Sequence, residues 1–191
     1  MNSPRHIGLL CLVLLSQPTA GRAAEAQGSS VILRVQGLKI QSSPASWRLE
    51  TRVSGEKEAA LTRGRGRLET YLKTLGEKGV LPLLRSADAE GWTLSIGAPH
   101  NLAAQPADDG IRLVLRPARL FAVSRISLGA QSDEVDETQL KLEDFATARN
   151  FIPDGRAVIA YFSSQAAPWF LARVELWLPV VPKPEALSDK P

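Results

Sequence analysis

Residues 47–76 read WRLETRVSGEKEAALTRGRGRLETYLKTLG. The first seven alternate. Trp47, Leu49, Thr51 and Val53 fall on one side, and Arg48, Glu50 and Arg52 on the other. Period two with one apolar face predicts a strand that covers a core. The pattern then changes. Leu61, Leu68, Leu72 and Leu75 recur at intervals of seven, four and three, with Tyr71 beside them, which is the period of one helix face. Residues 57–76 are therefore the main helix. Gly64 and Gly66 weaken its middle by roughly 1 kcal/mol each. The helix then begins late, bends there, or packs closely against a sheet. Gly76 or Gly79 is its natural stop.

Further strands are read on both sides of this unit. Val31–Val35 precedes it, and residues 41–45 form a turn. Val80–Leu84 follows, and Pro82 demotes it to an edge strand or entry segment. Trp92–Ile96, Ile111–Leu115 and Leu120–Leu128 are sheet segments, separated by a long Pro-rich loop over 97–110. Leu140 and Leu142 alternate around Lys141, which favours a strand over 139–145. Arg156–Phe162 is β-prone. Phe170–Leu178 alternates almost without fault. Strands dominate, with no sustained strand–helix alternation. The expected fold is α+β, a mostly antiparallel sheet with one main helix packed across a face. No internal repeat of useful length stands out.

The ends of the chain read differently. Ile7–Leu15 is a short apolar run after Arg5 and His6. Ser16, Gln17 and Pro18 break it, and small residues follow at Ala20, Gly21, Ala23 and Ala24. About 20 apolar residues are needed to span a bilayer, and this run is too short. Its layout matches a cleaved export signal. The expected organisation is a signal peptide over 1–23, a flexible leader over 24–30, one globular domain over 31–178 and a Pro-rich tail over 179–191. Cleavage removes Cys11 and His6 and leaves His100 as the only histidine. The expected location is the periplasm, or outside the cell, with no stable membrane span after signal removal.

Composition narrows the chemistry. The 23 basic and 20 acidic residues nearly balance, and the net charge of +3 gives no argument for nucleic acid. A single cysteine excludes an internal disulfide and any multi-cysteine metal site. No G-x-S-x-G elbow, P-loop or dinucleotide fingerprint is present. No catalytic residue, cofactor or metal ligand is therefore assigned. The crowded acids Asp133, Glu134, Asp136 and Glu137 lack the calcium-loop pattern and read as a solvated turn.

Two groups remain as candidate contacts. Arg63, Arg65 and Arg67 could meet an anion, although residues two apart diverge on a helix. Trp169, Leu171 and Trp177 could form a second apolar face on the last strand, either core or interface, and with Phe170 they are the candidate partner contact. The expected function is a non-catalytic accessory or interaction protein of the bacterial envelope, with another envelope or exported protein as partner. One alternative is a small-ligand-binding periplasmic protein with a cleft lined by Trp92, Phe121 and Trp169. Another is an exported hydrolase using His100 with Asp108 and Asp109.

Overall fold

The computed structural model describes residues 30–88, 91–99, 102, 110–162 and 173–184. The expected signal peptide, the leader apart from Ser30, and His100, Asp108, Asp109, Trp169, Phe170 and Leu171 all lie outside the described residues. Among the described residues, ten strands form one antiparallel sheet with two helices. In chain order they are β1 (Ser30–Val35), β2 (Leu38–Ser43), β3 (Ser46–Val53), α1 (Lys57–Thr74), β4 (Val80–Asp88), β5 (Gly91–Gly97), β6 (Ile111–Arg116), β7 (Arg119–Ile126), α2 (Ser132–Thr147), β8 (Phe151–Pro153), β9 (Val158–Tyr161) and β10 (Val174–Pro182). The sheet order is β1-β2-β7-β10-β9-β4-β5-β3-β6, and β8 pairs with the far end of β10. The α+β class holds, and α1 is the main helix on the sheet.

α1 buries Ala60, Gly64, Leu68 and Leu72, four positions spaced one turn apart. It packs on β3 and β5. Gly64 is there for contact: a Cβ on it would lie 2.8 Å from Leu94 Cδ1. The helix ends as Gly76 turns to φ +69°. The Gly76 and Glu77 amides then bond the Lys73 and Leu72 carbonyls. This satisfies carbonyls that the last turn leaves open.

Several local expectations change. Residues 139–145 are not a strand but part of α2, which buries Leu142, Phe145 and Ala146 while Leu140 is 62% exposed. The alternation of Leu140 and Leu142 was misleading because only one of them faces the core. The acids at 133–137 lie in the first turns of α2, not in a turn, where negative charge suits the helix dipole. Residues 41–43 extend β2. β4 is central rather than peripheral. Its Pro82 falls inside an irregular stretch of pairing, between Val80↔Gly97 and Leu84↔Ser95, where a missing N–H does least harm. The sheet also retains residues 179–182 of the Pro-rich end, with Pro179 opposite Phe121.

The topology repeats. β3, α1, β4, β5 and β6 form one half. β7, α2, β9 and β10 form the other, and β2 holds the place that β6 holds in the first. The halves join where β4 pairs with β9, Leu84 opposite Ala160. An approximate two-fold through that pair relates the ladders. Ser95 lies opposite Leu84, and Glu175 opposite Ala160, so Ser95 and Glu175 are equivalent. By the same registers Arg48 matches Val123, and Arg85 matches Tyr161.

Side-chain direction splits the sheet into two faces. Leu49, Leu94, Ile96, Leu176, Leu178 and Val180 join the helices in the main core. Val123, Ala160 and Trp177 form a second buried cluster with Leu84, Phe121, Val158 and Phe162 on the helix-free face. Among the described residues no helix is long and apolar enough to cross a membrane.

Candidate functional site

The second cluster surrounds a charge. Even-numbered residues of β10 face the helices, so Glu175 and Trp177 face the other way with Arg173 just ahead of them. Glu175 is 2% exposed. An acid in such a place must be paired or neutralised. Its Oε1 accepts from Lys39 Nζ at 3.2 Å and from Arg173 Nε and Nη2 at 3.0 and 2.6 Å. Its Oε2 accepts from Trp177 Nε1 at 2.8 Å. Burial pushes its pKa up. The hydrogen bonds from Arg173 and Trp177, with the charges of Lys39 and Arg173, more than offset this and hold the carboxyl below its ordinary range.

Aromatic rings frame the carboxylate. Phe121 and Phe162 lie 5.2 and 6.0 Å from Trp177, both tilted. The Arg173 guanidinium stands over Phe162 at 4.4 Å from its centroid. A flat, delocalised cation is thus held between a ring and a carboxylate. The two basic partners of Glu175 differ. The Lys39 side chain is 10% exposed and belongs to the sheet, whereas that of Arg173 is 44% exposed. Arg173 is the partner more open to solvent.

The matching place in the first half has different chemistry. Arg48, 8% exposed, donates from Nε to Ser95 Oγ at 3.1 Å. Its Nη2 donates to the Pro82 and Ser95 carbonyls at 2.6 and 2.9 Å. Burial lowers its pKa to about 10, with Glu50 raising it and Arg116 lowering it further. These contacts tie β3, β4 and β5 together.

The residues singled out from sequence fall as follows. Trp177 is 4% exposed and packs with Phe121 and Phe162. Arg63 bonds the Ser54 carbonyl, Arg65 pairs with Glu69 at 3.5 Å, and Arg67 donates to Thr51 Oγ1 at 3.3 Å, so each has a partner within the chain. Trp92 lies on the helix face and Phe121 on the other, so the sheet itself separates two members of the expected cleft. Sequence reasoning passed over Glu175 and Lys39. The one available signal was a lone acid between Val174 and Leu176 in an apolar strand.

No family model matches the chain, and no curated protein matches it. Solved structures do share its fold. The crystal structure of the EcmrR C-terminal domain is similar over 76% of this chain and 97% of that one, at a TM-score of 0.59 and 9% identity. The EcmrR chain in the cryo-EM structure of the EcmrR–DNA complex in EcmrR-RPo is similar over 76% of this chain, at a TM-score of 0.55 and 10% identity. This chain spans only 57% of the length of that one. A proposed bacterial transcription regulation protein from Staphylococcus aureus MU50 follows at a TM-score of 0.42, 13% identity, 75% of this chain and 97% of that one.

These findings correct four expectations. A non-catalytic accessory protein of the envelope does not stand, since the shared fold belongs to a domain of a protein seen bound to DNA. The periplasmic or secreted location falls with it, as does the exported partner protein. The exclusion of nucleic acid is overturned by the same complex. That exclusion rested on net charge, which measures direct DNA contact by a surface and says nothing of a domain coupled to one.

Proposed function

We propose that this chain is an effector-binding domain of a transcription-regulating system, with DNA as the partner of the assembly it serves. The effector is a small, flat, aromatic cation. It binds on the helix-free face against Glu175, stacked among Phe121, Phe162 and Trp177. One observation carries the reading: Arg173 already occupies such a seat, bonded to Glu175 and lying over Phe162. A ligand of like chemistry takes over both interactions and releases an arginine that is half in water. Lys39 and Trp177 keep the carboxylate ionised and aimed. The DNA-bound neighbour of like fold supports the regulatory setting.

Titration of the full chain with ethidium, followed by its fluorescence, tests this. The neutral parent ring, phenanthridine, is the control. Saturable binding of ethidium, lost by about tenfold or more in Glu175→Gln, is expected, since hydrogen bonds to charged groups carry about 1.5–3 kcal/mol. Equal binding of the two compounds, or equal binding by the variant, would contradict it.

A further inference from the structure

The other face of the sheet carries a second unusual charge. Arg85 lies on β4, on the strip between α1 on β3 and β5 and α2 on β7 and β10. It is 5% exposed. Its guanidinium stands 5.1 Å from the Trp92 ring and 5.7 Å from the Tyr161 ring. Among the described residues it makes no hydrogen bond and no ion pair. Yet no buried side-chain nitrogen or oxygen among them lacks a partner. The guanidinium nitrogens therefore keep a little contact with solvent. Burial lowers its pKa, while Tyr161 and Glu58 raise it.

A buried cation with rings beside it and no acceptor on its N–H groups among the described residues is costly without an anion. Rings can stabilise the faces of a guanidinium, but the in-plane N–H groups need oxygen acceptors. The geometry points to a second ligand site: we infer that Arg85 binds the carboxylate of a small planar molecule through its N–H groups, with Trp92 and Tyr161 as walls. A carboxylate meets the guanidinium fork with two parallel hydrogen bonds. The two aromatic walls favour a flat group with a ring behind the carboxylate. The site lies across the sheet from Glu175 and takes the opposite charge, so it stands or falls independently of the cation seat.

The experiment uses the full chain and benzoate, with acetate and benzyl alcohol as controls. The Arg85 Nε–Hε signal is followed by NMR in the unaltered protein, with tryptophan fluorescence beside it. Benzoate is expected to shift both saturably, acetate more weakly, and benzyl alcohol not at all. Arg85→Gln is expected to lower benzoate affinity about tenfold or more, and Arg85→Lys by less. The inference is overturned if benzoate produces no saturable shift up to about 10 mM, a weak limit for specific small-molecule binding. Equal response to benzyl alcohol, or unchanged affinity in Arg85→Gln, overturns it as well. Should Arg85→Gln fail to fold, the NMR titration of the unaltered protein alone decides.

Discussion

Ser95 and Glu175 occupy equivalent places in the two halves of the sheet, one neutral and one charged. Both face away from the helices and both are buried. Ser95 receives the Arg48 guanidinium within its own half. Glu175 instead gathers Lys39 from β2, 136 positions away in the chain, and Arg173 from the entry to β10. One half of the symmetric scaffold is cross-braced by a cation, and the other holds a buried acid with one buried and one half-exposed basic partner. Structural symmetry with asymmetric chemistry sets Glu175 apart from its counterpart Ser95.

Replacing Glu175 with Gln should lower stability by about 3 kcal/mol at neutral pH. The change leaves Lys39 buried without its counter-ion, which is strongly destabilising. Arg173 adds little to this because solvent screens it. Urea unfolding of both proteins measures the difference, and a loss under about 0.5 kcal/mol would mean the ion cluster contributes nothing net.

The same residue sets a pH dependence. Its folded pKa is held below the ordinary carboxylate value of about 4, so the folded state binds its proton less readily than the unfolded chain does. The resulting stabilisation is full above the unfolded pKa and is lost as pH falls through the folded one. Urea midpoints should fall on acidification below about pH 4. Glu175→Gln should flatten that fall. Parallel curves for the two proteins would show that other carboxylates govern it.

Gly64 and Gly66 should respond in opposite ways to alanine. At Gly66 an added Cβ meets nothing within 4 Å, so the helix gains up to about 1 kcal/mol. At Gly64 it meets Leu94 at 2.8 Å, and overpacking of about 1–3 kcal/mol exceeds the same gain. Thermal melts should rise for Gly66→Ala and fall for Gly64→Ala. A rise for both would mean that α1 can lift off β5 at little cost.

Arg48→Met tests the brace in the first half. It removes three hydrogen bonds and leaves the Pro82 and Ser95 carbonyls short of a donor. A loss of about 2–3 kcal/mol is expected in urea unfolding. Arg48→Lys should recover only part of it, because a point charge cannot fork to two carbonyls and a hydroxyl at once. Full recovery would reduce the role of Arg48 to its charge.

The class of fold was legible in residues 47–76, where a change of period from two to 3.6 is visible in one stretch. The second helix was not. Its apolar stripe is thin, and Leu140 sits on the wet face beside acids that resemble a turn. The two-fold repeat leaves no trace in the residues, because Arg48 stands where Val123 does and Ser95 where Glu175 does. Such positions share a backbone place and nothing else. The site was hidden for a related reason. Lys39 and Glu175 meet directly but across β7, which lies between their strands in the sheet. A lone acid in an apolar strand hinted at burial but could not name its partners.

The most direct measurement compares ethidium binding by the unaltered chain and by Arg173→Ala, using calorimetry. If Arg173 is an internal occupant of the cation seat, removing it frees Glu175 and Phe162, and ethidium should bind more tightly, with a smaller off-rate. If Arg173→Ala binds ethidium no better than the unaltered chain, the arginine is structural and Glu175 is not a receptor for cations.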